Sequence, residues 1–237
     1  MTTIDKTPSR IAGMFDAIAP RYDLLNHLLS AGLDRRWRAR AVRELALGPG
    51  GRALDLCTGT ADVALATIRR FQGVAVIGVD FSSEMLRLAL TKVRGERAAG
   101  AIALVRGDAA AVPIASGSCD AATVAFGIRN VAEPRMALAE LARVLRPGAR
   151  LAILEFGEPR IRGIRTLYGW YFRYLLPLVG RAVSKHRSAY SYLPASVGTF
   201  PAPQEFSRTI AEVGFCRVRA VPLTFGIVYL YVADRAA

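Results

Sequence analysis

The chain has 237 residues, is 52% hydrophobic, and sets 32 Lys and Arg against 19 acidic residues for a formal charge of +13. Its length suits one large α/β domain and is short for two complete ones, and the apolar content excludes a disordered chain. The cationic excess predicts attraction to nucleic acid or to a lipid surface and says nothing about fold.

Cys57, Cys119 and Cys216 are scattered and form no CxxC pair, and the only histidines are His27 and His186. A structural zinc site is therefore not expected, and reduced thiols of a cytoplasmic protein are. No apolar segment follows the charges of MTTIDKTPSR, and no run of about 18 apolar residues occurs, so neither a secretory signal nor a membrane span is predicted.

In chain order, residues 10–47 read as helical throughout, with Phe15, Ile18, Tyr22, Leu25 and Leu29 making one apolar stripe, until Gly48-Pro49-Gly50-Gly51 stops it. The period then changes. Strands are predicted at 52–57, 74–80, 102–108, 119–126 and 149–156. Helices are predicted at 62–70, at 82–95 with a serine cap, and at 134–146, the last broken by Pro147 and Gly148. This alternation means a parallel sheet covered on both faces. Two final apolar runs, 216–223 and 226–234, are separated only by Thr224 and Phe225, too short a link for a crossover helix, so they form an antiparallel hairpin. A seven-stranded, mostly parallel, doubly wound sheet ending in an antiparallel hairpin is the class I S-adenosylmethionine methyltransferase fold. One domain is expected: a helical lid at 10–47, a cofactor-binding core at 48–156, a substrate- or membrane-facing insertion at 157–205, and a helix and hairpin at 206–237.

Ligands of open α/β sheets bind at the carboxyl ends of strands, where the strand order reverses. The first such end reads LDLCTGTAD (54–62), in which only Gly59 remains of a glycine run, Cys57 and Ala61 standing at the other glycine places. Asp80 closes the second strand 21 residues after Gly59, where a carboxylate can accept both hydroxyls of a ribose. Asp108 and Ala109 close the third, where an acid and a backbone N–H can read an adenine edge. With Asp55, three successive strands carry an aspartate. A nicotinamide cofactor needs a fuller glycine loop for its pyrophosphate; acids around a sparse loop favour the cationic S-adenosylmethionine. The bland alternative for each aspartate is a turn former or helix cap.

On this frame the chain resembles the C-methyltransferases of quinone biosynthesis, the demethylmenaquinone and ubiquinone methyltransferase family. The resemblance is carried by MFDAIAPRYDLLNHLLSAGLDRRWR (14–38), FGIRNV (126–131), VLRPGARLAILEF (144–156), YSYLPASVGTFP (190–201) and TFGIVYLY (224–231). It implies cofactor contacts at Thr60, Asp80 and the pair Asp108-Ala109; a further contact, often a serine, falls on Ala125, which has no hydroxyl. It also implies methylation of a ring carbon on a prenylated demethylquinol. The short stretch before the shared block favours the menaquinone branch, with the ubiquinone-pathway benzoquinol as the alternative.

Such a ring carbon reacts once an adjacent phenol ionises, which near neutral pH costs about 4 kcal/mol at roughly 1.4 kcal/mol per pKa unit. Arg129, at the carboxyl end of the fourth strand, is expected to stabilise that oxyanion, and Asn130 to orient the oxygen or a water. The alternative is an Arg129 paired to Glu133 or Glu155 in a purely structural role. His27 could relay a proton or simply be an exposed helical histidine. Cys57 reads as a packing residue.

No acidic residue occurs between Glu158 and Glu205, a stretch holding Arg160, Arg162, Arg165, Arg173, Arg181, Lys185 and Arg187 among Trp170, Tyr171, Phe172 and Tyr174. Basic plus aromatic suits nucleic acid or a membrane interface, and a polyprenyl substrate favours peripheral attachment to the anionic inner face of the cell membrane. These residues could equally cap the substrate cavity. A nucleic-acid methyltransferase is the enzymatic rival, but the fourth strand ends Ala125-Phe126-Gly127-Ile128 without the proline run of amino-directed enzymes, and no cysteine follows a proline. A non-enzymatic quinone-binding module is the other rival. A homo-oligomer is compatible with the chain.

Overall fold

The computed structural model describes residues 6–159, 161–170, 174 and 187–237. Three short helices lead in: α1 (Pro8–Ile18), α2 (Tyr22–Leu29) and α3 (Leu33–Arg43). The predicted continuous helix over 10–47 is thus broken twice. Pro20, which lacks an N–H, sits in a 3-10 turn over Ala19–Arg21, and the left-handed pair Ala31 (φ +49°) and Gly32 (φ +77°) ends α2.

β1 (Arg52–Leu56), α4 (Asp62–Arg70), β2 (Ala75–Asp80), α5 (Ser83–Gly95), β3 (Ile102–Arg106), β4 (Cys119–Ala125), α6 (Pro134–Val144) and β5 (Leu145–Phe156) follow. Beyond them lie α7 (Arg162–Trp170), α8 (Arg187–Gly198), α9 (Pro203–Glu212), β6 (Phe215–Leu223) and β7 (Val228–Arg235). The strands form one seven-stranded sheet in the order β3-β2-β1-β4-β5-β7-β6. β1 to β5 run parallel, and β7 is antiparallel to both β5 and β6. The strand order therefore reverses between β1 and β4.

β1 sits at the centre of the parallel part, and Ala53 through Leu56 are all buried, as a strand covered on both faces requires. β7 divides its side chains cleanly. Tyr229, Tyr231 and Ala233 join the core with Leu138 and Leu141 of α6 and Phe206 and Ile210 of α9. Val228, Leu230 and Val232 face Trp37 and Ala41 of α3. Each fully buried large aliphatic or aromatic side chain contributes about 1.5–3 kcal/mol.

Pro147 and Gly148 do not separate α6 from β5. The strand starts at Leu145, and a register shift absorbs them: Cys119 pairs with Leu145 but Ala121 with Arg150, with Gly148 at φ +79°. At the hairpin, Thr224–Gly226 forms a 3-10 turn, and Trp37 Nε1 donates to Thr224 Oγ1 at 2.8 Å, tying α3 to the sheet's antiparallel end.

Candidate active site

A cavity opens over the carboxyl ends of β1, β2, β3 and β4 and is roofed by the N-terminal segment and helices: Lys6, Ile11, Ala12, Phe15 and Tyr22 line it together with the strand ends. Of the predicted site residues, Gly59, Asp80, Asp108, Ala109, Ala125 and Asn130 reach its wall; Thr60 and Arg129 do not.

The loop after β1 folds with Cys57 (φ +57°), Gly59 (φ +55°) and Ala61 (φ +66°) all left-handed. The two residues that replace glycine thus adopt the backbone glycine would adopt, at about 1–2 kcal/mol each. Their strain is offset by packing: Ala61 is fully buried, and Cys57 abuts Gly127. A Cβ on Gly127 would stand 2.3 Å from the Cβ of Cys57, which is why the FG pair of FGIRN carries a glycine where the ends of β1 and β4 meet.

Asp80 accepts the backbone N–H of Gly59 through Oδ2 at 2.8 Å and that of Ser82 through Oδ1 at 2.9 Å. Burial raises its carboxyl, and those backbone donors oppose the rise. Each oxygen keeps a lone pair for a further donor, and a vicinal diol offers two. The Asp108 carboxylate accepts only from the N–H of Ala110, at 2.9 Å, among the described residues. Backbone and acids therefore fit an adenosine. Asp55 is different: it lies under the loop, accepts from Thr58 Oγ1 at 2.6 Å and Thr123 Oγ1 at 2.8 Å, and burial pushes it up to about 6. It braces the loop without lining the cavity.

Thr60 is turned away. It is buried, donates to Asp23 Oδ1 at 2.6 Å and lies 3.1 Å from Lys92 Nζ, because Lys92 gathers Asp23 of α2 and Asp62 of α4 at 2.6 Å each. Ser82 caps α5 through the N–H of Met85 and also donates to Asp16 of α1. The N-terminal helices are thus fastened to the loops that carry Gly59 and Asp80.

Arg129 follows β4 in a 3-10 turn (Ile128–Asn130), with its side chain behind the cavity wall. Its Nη1 donates to Glu155 Oε1 at 2.7 Å and to the carbonyl of Phe126 at 2.6 Å, and its guanidinium lies 5.2 Å from the Phe156 ring centre. Glu155 is 0% exposed and also accepts the backbone N–H groups of Arg129 and Phe156. The Glu155 pairing, one of the two readings of Arg129, is the one observed. Arg129 Nε is buried without a hydrogen-bond partner among the described residues. Asn130 lines the cavity, donating from Nδ2 to the Phe126 carbonyl at 3.3 Å and accepting the hydroxyl of Tyr192 at 3.0 Å.

Three further cavity residues were not read as lining a site in the sequence. Tyr22 is half-buried, its loss of solvent raises its phenol, and it is near enough to Asp80 and Arg129 to feel both charges; read as part of a helical stripe, it looked like core. Glu133 precedes α6, and Lys6 precedes α1. His27 is exposed on α2, 3.3 Å from Asp34, and Cys57 is a half-buried thiol pushed well up by desolvation and surrounding carboxylates. His186 lies outside the described residues, as do Arg160, 171–173 and 175–186 of the basic segment. Among the described residues no acidic or histidine-cysteine group could hold a metal, and no helix is long and apolar enough to cross a membrane.

A family model described as the ubiE/COQ5 methyltransferase family matches residues 2–235. The chain belongs to that family. It is 47% identical over 223 residues, 94% of this chain and 100% of the relative, to the demethylmenaquinone methyltransferase of Thermus thermophilus. It is 44% identical over 236 residues, 99% of this chain and 92% of the relative, to the ubiquinone/menaquinone biosynthesis C-methyltransferase UbiE of Geobacter sulfurreducens. Solved structures similar to it include the [4+2]-cyclase SpnF, at TM-score 0.72 and 15% identity covering 99% and 98% of the two chains. Another is a SAM-dependent methyltransferase from Aquifex aeolicus, at TM-score 0.60 and 19% identity covering 98% of each. These share the class I fold, which a cyclase also uses, so chemistry follows from the family and the site. As a member of this family the chain is an S-adenosylmethionine-dependent methyltransferase.

Proposed function

We propose that the chain methylates a ring carbon of a prenylated demethylquinol, with demethylmenaquinol as substrate, and thereby serves menaquinone biosynthesis. The observation that carries the reading is the near-full-length similarity to relatives named demethylmenaquinone methyltransferase, joined to a cavity whose β1–β3 side carries Asp80, Asp108 and Ala109, which suit an adenosine. Some relatives are named for both quinone pathways, so the benzoquinol is the competing substrate.

Bound S-adenosylmethionine supplies an electrophilic methyl group. Asp80 holds the ribose diol, and Asp108 with the backbone of Ala109 reads the adenine edge. Gly59 allows the chain to come close, with the aromatic ring of Tyr22 facing it. Asn130 presents its amide to the substrate oxygen and is held by Tyr192 and the Phe126 carbonyl. Arg129 works from behind the wall: paired to Glu155 and anchored on Phe126, it fixes the turn that carries Asn130, so its charge reaches the ring oxygen only in part. The roof formed by α1 and the start of α2 excludes water, so the reactants are positioned and desolvated together.

The segment after Glu158 supports peripheral attachment to an anionic membrane. Ile161, Trp170 and Tyr174 are 53%, 55% and 57% exposed, and the Trp170 and Tyr174 rings are 5.9 Å apart, an apolar edge beside basic residues. Incubating the purified chain with labelled methyl donor, demethylmenaquinol and the benzoquinol intermediate tests the assignment. Label in the naphthalene ring is expected. Donor binding without transfer to either ring makes the protein a binding module instead.

A further inference from the structure

Lys6 stands on the cavity wall with Asp80 and Asn130, immediately before α1. It is half-buried, and among the described residues its ammonium has no hydrogen bond or ion pair. Glu155, the carboxylate whose charge it feels, is already taken by Arg129, at 2.7 Å. An unpaired lysine in a partly dry site, beside a guanidinium, is the arrangement that turns lysine into a base.

We infer that Lys6 is the proton acceptor of the methylation: its neutral Nζ takes the proton of the substrate's ring hydroxyl and, as an ammonium, holds the oxyanion that forms. The inference rests on the quinol reading above. In this step the O–H bond breaks and an N–H bond forms, and the electron pair left on oxygen spreads to the adjacent ring carbon, which becomes the nucleophile. The methylated carbon later sheds its own hydrogen as a proton, and one proton is released to water overall.

The other titratable groups of the wall do not suit the task. Asp80 and Asp108 are the acceptors assigned to the cofactor, and a carboxylate is by its chemistry a far weaker base than a phenolate. Burial pushes the Tyr22 phenol and the Cys57 thiol up, so both stay neutral. Lys6 moves the other way: burial lowers its pKa, the Arg129 charge lowers it further, and Glu155 opposes both. Tyr192 of α8, held on Asn130, is raised by burial and felt by the same Arg129. A lysine whose pKa is lowered is freer to stand neutral and accept a phenol's proton.

The test uses Lys6→Met and Lys6→Arg in the full chain, with demethylmenaquinol turnover and two readouts that need no methyl transfer. Heat of S-adenosylhomocysteine binding should be unchanged in both variants. Bound 1-naphthol, followed by its naphtholate absorption with S-adenosylhomocysteine present, should ionise at lower pH in the native protein than in Lys6→Met. Turnover should fall about 100-fold or more in both variants, because a guanidinium cannot accept the proton, and the ascending limb of the native pH–rate profile should vanish. Native turnover by Lys6→Arg, or identical naphthol ionisation in Lys6→Met, overturns the assignment while leaving the quinol reading intact. A native protein that ionises naphthol through Lys6 yet leaves demethylmenaquinol unmethylated sinks the substrate and keeps Lys6.

Discussion

The two halves of the sheet's carboxyl edge are built on opposite principles. On the β1–β3 side, Asp80 and Asp108 point carboxylates into the cavity with backbone N–H groups as partners, leaving acceptors free for a ligand. On the β4–β5 side, two charges have already met: Arg129 and Glu155 cancel behind the wall and leave Asn130 and Glu133 as the polar side chains that line the cavity. One half is open to binding, and the other is preorganised scaffold. A charged residue at a strand end is therefore no guide to contact with substrate until its own partner is known.

The largest effect that would sharpen this contrast comes from the closed pair. Glu155→Gln leaves the Arg129 guanidinium buried and uncompensated and should destabilise the chain by about 3–5 kcal/mol in denaturant unfolding. Adding Arg129→Met should recover much of that loss. A single variant as stable as the native chain would mean the pair is not the scaffold described.

Asp55 probes the open half from below. Its folded carboxyl is raised to about 6, so the folded state binds the proton more tightly than the unfolded one. Stability from this group is fully present below its unfolded value of about 3.9 and is lost as pH rises through about 6, a cost near 3 kcal/mol above it. Asp55→Asn should flatten the stability profile between those limits, and a slope equal to the native one would count against the buried carboxylate.

The smallest change is at the roof. Lys92 joins Asp23 of α2 to Asp62 of α4 through part-exposed ion pairs, so Lys92→Met should cost about 1 kcal/mol or less in stability. It should nonetheless speed release of S-adenosylhomocysteine by loosening the roof. Release at the native rate would show that Ser82 and Asp16 hold the helices without it.

The sheet, its hairpin and the aspartates at its edge were readable because they rest on local signals: alternating periods, a two-residue link, a serine cap. Thr60 is turned from the cavity for a tertiary reason. Its position in the loop matches the family, but Lys92 and Asp23, far off in sequence, claim its hydroxyl. Lys6 left no trace, since one lysine near a terminus has no pattern. Only the descent of α1 onto Ser82 brings that end of the chain to the cavity.

By itself, the sequence determined the strand order's ingredients, the reversal that makes a cleft and the acids that suit an adenosine, because backbone periodicity and turn chemistry act over a few residues. The tertiary structure alone decided which charges remain for chemistry. Ion pairing depends on distances between residues such as Arg129 and Glu155, 26 positions apart, that only the packed sheet sets.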